Sequence, residues 1–501
     1  MSLESVLEQH HISRETLGSE RLDTTSVDAL SQLPVHAQQF TKVNASYGFV
    51  LEAAIRTNSP PLCEPDNIDS LLEVIVTELQ DVNWFKSGSE HHHHYYYYLR
   101  VLREILLIKD DVLPSPNIIA ALAIHSDAEC PWGSVCDSEI VDKTMDKLNA
   151  VNLSHFIREK VTPACAQLSK LEKHTKKQYQ QLSGSLRPHL GFGSGVGVTQ
   201  NEESIRSQWY NSKNVAAISM IWFLIKYIKD DQEDMLETNW FIITSFILNL
   251  TDDTNVEFKL VSCRLLNEFL EVIGGDFLKK RGLIEPFIKS FTPNLSYIPS
   301  LTPVGDSLRL LPPSYTVICE LIQYSSHSRR DFLELITSKV LFSINHVRGN
   351  NNKDASDVVV LLLEELRRLI TDYVEQDILV LLSRINFVLS QLIIDPIEHD
   401  PRVIVAALLT QQAILQQFVN SDKEAELLVY DYRFDFMGAW TVLLKRKSAS
   451  TKELLDIIKD TMDLLFQYAN SLNQVETWHL ELDTIKLHAT QQLQEIISQQ
   501  E

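Results

Sequence analysis

The stretch 239–273 constrains the fold more than any other part of the chain, because its pattern predicts two consecutive amphipathic helices. Apolar residues recur at three-to-four spacing on both sides of an acidic turn at 252–253. Thr254 and Glu257 predict a capping box at the start of the second helix. The glycines at 274–275 follow its last apolar residue and predict a left-handed stop. A chain with this pattern buries helix against helix.

Other segments extend this pattern along the chain. An acidic turn followed by a cation inside the next helix, here Lys259, resembles a HEAT-type repeat. Asp400 opens another predicted helix 148 residues after Asp252, an interval that fits three or four units of about 40–47 residues. The run 358–370 is apolar on more than one side, so it must lie between neighbouring helices. We therefore predict an all-α fold, an α-solenoid of HEAT/armadillo-like helical repeats, with an irregular all-helical domain as the alternative.

The sequence divides into three predicted regions. Residues 1–182 form an N-terminal helical region, and residues 183–200 form a Gly/Ser-rich linker or loop. Residues 201–501 form the HEAT-like α-solenoid. No segment shows the alternation of apolar and polar residues that is typical of strands. The helical pattern predicts, among others, helices near 35–57, 276–292, 304–326, 402–419 and 424–446.

Charge and targeting signals narrow the classes of partner. The chain of 501 residues carries 67 acidic and 45 basic side chains, a net charge of −22. This acidity argues against direct nucleic-acid binding and against attraction to anionic membranes. The N-terminus has no secretory signal, and the longest strongly apolar stretch, 215–225, falls short of the ~20 residues of a membrane span. We expect an intracellular, reducing compartment.

Motifs for catalysis or cofactor binding do not emerge from the sequence. Adjacent histidines at 91–94 point in different directions on a helix, so we interpret them as a helix start rather than a zinc site. Cys130 and Cys136 flank a short loop, where a disulfide or metal is the less favoured alternative. The alternating glycines at 191–197 do not satisfy GxGxxG and follow no strand. We predict no catalytic residue, no cofactor and no bound metal; a helical enzyme or regulatory phosphatase scaffold is the contrasting class.

Two tryptophans in the C-terminal helices are candidate partner contacts. Trp440 and Trp478 are chosen because tryptophan is enriched at the hot spots of protein interfaces. Burial in the core of the chain is the alternative reading for both.

One ordered set of segments carries a resemblance to a known family. The segments are RPHLG at 187–191, NEESIRSQWYNS at 201–212, NW at 239–240, RGL at 281–283 and LSYIPSLTP at 295–303. In this order, and with the turn at 252–253, they resemble the Tel two-interacting protein two (Tti-two) family. The resemblance is clearest over residues 187–325.

The resemblance implies a non-catalytic scaffold subunit of the TTT complex, which contains Tel two, Tti-one and Tti-two. In that family the complex acts as a co-chaperone with the ninety-kilodalton heat-shock chaperone machinery. It stabilises and matures phosphatidylinositol-3-kinase-related kinases, which include TOR and the DNA-damage checkpoint kinases. The implied roles are TOR signalling, the DNA damage response and telomere maintenance, in the cytoplasm and nucleus. The alternative is a helical-repeat transport receptor or another solenoid adaptor.

Overall fold

The computed structural model divides the chain into two units by internal contacts, Met1–Leu250 and Thr251–Glu501. In the residues that it describes every regular element is a helix. These residues are 65–84, 89–108, 115–145, 150–166, 208–227, 233–348, 355–395, 400–446 and 452–498, with Glu52, Ile55, Leu168 and Arg206. The predicted linker at 183–200 and the predicted helix at 35–57 lie almost wholly outside them, so the predicted domain boundaries stay a prediction.

Unit 1 contains seven helices in its described part. They are α1 (Pro65–Leu79), α2 (Ser89–Ile108), α3 (Pro116–Ile124), α4 (Val135–Met145), α5 (Ala150–Phe156), α6 (Ala217–Tyr227) and α7 (Glu233–Thr251), the last of which ends one residue past the unit boundary. A π-helical turn, Ile157–Val161, extends α5, and a 3-10 turn, Lys213–Ala216, leads into α6.

Helix α3 is the centre of unit 1. Every residue from Ile118 to Ile124 is buried, and the helix packs against α1, α5 and α6. Ser115 caps it by accepting a hydrogen bond from the backbone N–H of Ile118, and Pro116 supplies the fixed φ that suits a first helical position. Trp132 closes this core by donating from Nε1 to the carbonyl of Ile124 at 2.9 Å.

Unit 2 contains fourteen helices in its described part. They are α8 (Val256–Val272), α9 (Gly275–Lys280), α10 (Ile284–Phe291), α11 (Val304–Gln323), α12 (Ser328–Leu335), α13 (Phe342–Arg348), α14 (Ser356–Leu369), α15 (Leu382–Ile394), α16 (Pro401–Phe418), α17 (Lys423–Tyr430), α18 (Arg433–Leu444), α19 (Lys452–Ser471), α20 (Val475–Lys486) and α21 (Gln491–Ser498). A 3-10 turn, Thr292–Ser296, follows α10; a π turn, Ile336–Leu341, joins α12 to α13; a π turn, Ile370–Val374, and a 3-10 segment, Glu375–Leu381, join α14 to α15.

These helices form five successive helix pairs in the described part of unit 2. The first members are α8, α11, α14, α16 and α19, and each packs on the first member of the next pair. Their first residues are 48, 52, 45 and 51 residues apart. The second member of each pair is one helix or two short helices, namely α9–α10, α12–α13, α15, α17–α18 and α20–α21. All substantial helix contacts of unit 2 lie within a pair or between neighbouring pairs.

Ion pairs follow the same rule. Five of them join neighbouring helix pairs, each between residues 45 to 52 positions apart in the sequence: Glu257–Arg309, Arg329–Asp377, Arg348–Asp395, Asp357–Arg402 and Arg433–Glu481. Exposed ion pairs add little stability. These five ion pairs are informative because they identify residues of successive helix pairs that contact each other.

Four local predictions are corrected by the structure. The cap of α8 is Asn255, whose side chain accepts from the N–H of Glu257 at 2.9 Å, and not Thr254. The helix predicted over 276–292 is two helices, because Gly282 turns the chain at φ +66°. The helix predicted over 424–446 is likewise divided, between α17 and α18. Gly274 has a positive φ of +90°, but its ψ of 149° lies outside the left-handed helical region that the predicted stop requires.

One helical run in the described part of the chain, Ser356–Ile394, is long and apolar enough to cross a membrane by length and composition. A buried core helix has the same composition. The backbone changes direction within the run at Glu375, where φ is +49°. Its halves, α14 and α15, pack on α16, and α15 also packs on α18.

Candidate partner interface

The acidic turn at 252–253 is built around a buried lysine. The ammonium group of Lys259 donates to the carbonyl of Thr251 at 2.5 Å and to Oδ1 of Asn294 at 2.9 Å. It also lies 5.0 Å from the ring centroid of Tyr297. A cation at the last carbonyl of a helix complements the helix dipole. Lys259 therefore fixes the turn that precedes α8, and its role is structural.

The two tryptophans chosen from the sequence are both fully buried. Trp440 donates from Nε1 to Oε1 of Gln411 at 3.3 Å and stacks on Phe436. Trp478 packs against Tyr430, with 6.3 Å between ring centroids. Core burial, the alternative reading, describes both rings in the chain alone. Their assignment as partner contacts stays a prediction.

Tyr430, Arg433 and Phe434 form a stacked group next to Trp478 that extends to the protein surface. The guanidinium of Arg433 lies 4.3 Å from the ring centroids of both Tyr430 and Phe434. It donates to both carboxylate oxygens of Glu481 at 2.8 Å, and this hydrogen-bonded pairing raises the pKa of Arg433. A bidentate pair of this kind fixes the orientation of the guanidinium. The contact with Arg433 thus fixes the position of Phe434, and half of the surface of Phe434 is exposed.

Phe434 belongs to a row of exposed apolar side chains. Phe342, Phe387, Phe434 and Leu480 are 61%, 66%, 52% and 70% exposed. They are successively 45, 47 and 46 residues apart, and each lies on the second member of a different helix pair, from α13 to α20. We call these four residues the apolar row. Large apolar patches on a soluble protein mark interaction sites more often than isolated exposed residues do.

Ion pairs join some of the helix pairs that carry the row. Arg348 and Asp395, which bind each other, lie six residues after Phe342 and eight after Phe387. Arg433 and Glu481, which also bind each other, directly adjoin Phe434 and Leu480 in the sequence. The row therefore crosses four adjacent helix pairs rather than running along one helix.

Sequence reasoning missed the apolar row. From the sequence, Phe387 and Phe434 carry no predicted role. The available signal is twofold: each falls on the face that the helical period assigns to solvent, and the four residues recur at the interval of the helix pairs.

Sites for metal or nucleophilic chemistry do not form in the part of the chain that the structure describes. No group of three or more His, Cys, Asp or Glu side chains there could hold a metal ion. Cys130 is buried, Cys136 is exposed, and neither forms a disulfide. Cys130 instead donates from Sγ to Oδ2 of Asp127 at 3.1 Å. The side chains of 91–94 lie outside the described residues, although their backbone forms the first part of α2.

Comparison with known proteins gives one match. The model of the Tti2 family matches residues 118–399, which is more than half of the chain. No curated protein and no solved structure matches the chain. The match covers α3 to α15 and thus parts of both units, including two of the four residues of the apolar row.

Proposed function

Because this chain belongs to the Tti2 family, we propose that it is a non-catalytic scaffold subunit of the TTT complex. In this proposal it assembles with Tti-one and Tel two. Together they help the ninety-kilodalton heat-shock chaperone machinery to stabilise phosphatidylinositol-3-kinase-related kinases. Family membership supports the subunit role, and the kinase clients follow from the family resemblance.

The architecture that we propose for unit 2 is an α-solenoid of HEAT-like repeats. The supporting observation is that five helix pairs begin 45 to 52 residues apart and contact substantially only their neighbours. Contacts restricted to adjacent units are the defining property of solenoid proteins. Such a stack presents extended surface, so one subunit can contact several others at once.

A scaffold acts by binding, and the exposed apolar row supplies a surface on which that binding can occur. The buried thiols of Cys263 and Cys319 fit a non-catalytic role, since burial raises the pKa of Cys263 to about 11 and that of Cys319 to about 12. A nucleophilic cysteine needs a lowered pKa. We further propose that the protein acts in the cytoplasm and the nucleus, where its kinase clients work.

Affinity purification tests the proposal directly. The tagged full-length chain is expressed in cells, captured, and its bound proteins are identified by mass spectrometry. We expect Tti-one and Tel two in amounts comparable to the tagged chain. Depleting the chain should lower the abundance of TOR and of the checkpoint kinases without lowering their mRNA. Capture of neither subunit contradicts the proposal, and capture of a small GTPase only in its GTP-bound state would indicate a transport receptor instead.

A further inference from the structure

We propose that the apolar row docks an amphipathic α-helix of a partner protein, laid across the second members of four successive helix pairs. The inference rests on the proposed function, because it requires that the chain works within a multi-protein assembly. It adds the surface that is used and the chemistry of the segment that binds there.

The spacing of the row favours a helix as its occupant. Helix α15 packs on α18, and packed neighbouring helices lie about 8–10 Å apart; at that spacing four members of the row span roughly 30 Å. In an α-helix, residues seven apart lie on the same face and are separated by about 10 Å along the axis. A β-strand fits less well, because residues on one of its faces are separated by about 6.6 or 13 Å. The occupant therefore carries an apolar residue at about every seventh position.

Gly438 leaves open surface beside the row. It lies one turn after Phe434 on α18 and one turn before Val442, which is 45% exposed. A Cβ atom added at Gly438 would have no neighbouring atom within 4 Å. The surface between the two apolar side chains is thus open, and a side chain of the docked helix can enter it. A few anchor residues near the centre of an interface carry most of its binding energy.

Charges along the row define the polarity of the occupant. Beside Phe387, Arg384 on α15 is exposed and forms no ion pair with any residue that the structure describes. Beside Phe434 and Leu480, Asp435 on α18 and Glu476 on α20 are exposed and likewise have no ion-pair partner among the described residues. Electrostatic complementarity selects a partner with the opposite distribution. The docked helix is therefore acidic where it crosses α15 and basic where it crosses α18 and α20.

These charges also separate the proposal from two other occupants. An anionic membrane is repelled by Asp435 and Glu476 and by the net charge of −22. A second copy of this chain could pair the two ends of the row in opposite directions. The partner helix is favoured because the family forms complexes with other proteins, and the second copy becomes an outcome of the test.

The first experiment combines Phe387→Glu and Phe434→Glu in the full chain. The variant is co-expressed with Tti-one and Tel two, and the retained subunits are quantified. We expect a loss of roughly tenfold or more, because two central apolar anchors are replaced by charges. Leu301→Glu is the matched control, since Leu301 is 93% exposed but lies outside the row. Thermal unfolding followed by circular dichroism should give the same midpoint for both variants, because all three side chains are exposed.

The outcomes distinguish the two proposals. If the wild-type chain retains neither subunit, the proposed function fails. If the wild type retains them and the double variant retains them equally well, the proposed function stands and the docking inference is overturned.

A second experiment identifies the occupant. A photo-crosslinking benzoylphenylalanine replaces Phe434 in one variant and Phe342 in another, and the crosslinked peptides are sequenced. We expect both sites to capture one helical segment of a partner protein, with about fourteen residues between the two captured positions because two helix-pair spacings separate the sites. Crosslinks to a second copy of this chain, together with a dimeric mass in light scattering, would overturn the assignment.

Discussion

Arg348 at the end of α13 donates from Nε and Nη2 to one carboxylate oxygen of Asp395 at the end of α15, at 2.9 and 2.6 Å. The backbone carbonyl of Asp395 accepts from Nη1 of Arg446, which follows α18, at 2.5 Å. The C-terminal ends of α13, α15 and α18, which belong to three successive helix pairs, therefore meet at Asp395. Cations at these ends complement the helix dipoles, so Asp395 fixes the register in which the helices carry the apolar row.

Replacing Asp395 tests this junction. Asp395→Ala leaves the partly buried Arg348 without its carboxylate, and we expect a loss of about 1–3 kcal/mol in the free energy of unfolding. Equilibrium urea unfolding measures it. Asp435→Ala is the control, because Asp435 is exposed and unpaired among the described residues and should change stability by less than about 0.5 kcal/mol. Equal effects of the two substitutions would contradict the junction's role.

We expect the buried Lys259 to contribute more to the free energy of unfolding than an exposed lysine does. Lys259→Met keeps the length of the side chain but removes the donor to Thr251 and to Asn294. Two buried acceptors then lose a hydrogen bond, and we expect a destabilisation of roughly 2–3 kcal/mol. Lys280→Met, at an exposed position near the end of α9, serves as the comparison and should leave the unfolding midpoint almost unchanged. Equal unfolding midpoints for the two variants would contradict this prediction.

Asp137 provides a test by pH in unit 1. Burial raises the pKa of Asp137 to about 6, while the Ser134 hydroxyl acts in the opposite direction. The folded state then holds its proton at a pH where the unfolded state has released it, so ionisation opposes folding. We expect Asp137→Asn to stabilise the protein above pH 6 by at most roughly 3 kcal/mol.

The gain from Asp137→Asn should have a defined pH profile. It is absent below about pH 4, where the carboxyl is protonated in both states, and grows between about pH 4 and 6. Thermal unfolding of wild type and variant across this range measures the difference. A constant difference at all pH values would show that the substitution acts through packing instead of through the charge.

Substitutions at Gly438 test protein stability and partner binding separately. Gly438→Ala adds a methyl group to open surface within α18, and we expect stabilisation of up to about 1 kcal/mol from helix propensity. Gly438→Trp should fold as well but lower retention of the partner subunits, because the indole occupies the open surface beside Phe434. Gly275→Ala is the opposing control, since its Cβ would lie 2.2 Å from the ring of Tyr324. Unfolding midpoints and co-purification together check all three.

The sequence predicts the helices well and the surface poorly. The helix predicted over 304–326 is α11, Val304–Gln323, and that predicted over 402–419 is α16, Pro401–Phe418. Such helices are predictable because apolar period and caps are local properties of the chain. Asp400 illustrates this, since it caps α16 by accepting from the N–H of Arg402, as the acidic turn predicts.

The exposed row depends on which residues are left uncovered, and that is set by packing between helix pairs distant in sequence. Trp440 and Trp478 are candidate partner contacts because of their residue type, but a large apolar side chain is equally suited to an interface and to a core. Phe387 and Phe434 look like core residues from composition, but no helix in the described part of the chain covers them, and both are exposed. Only the packing of α15 on α18, whose first residues are 51 positions apart, brings together the helices that carry them.

Contacts restricted to adjacent helix pairs have a consequence for how unit 2 unfolds. In a chain with nearest-neighbour coupling, an end can open while the middle stays folded, and a disturbance fades with each pair that it crosses. A rigid segment bound across four pairs would link pairs that share no substantial contact of their own. Binding would then make the opening of these pairs a single cooperative event, so hydrogen exchange in the complex should slow uniformly from α13 to α20 rather than grade outwards towards one end.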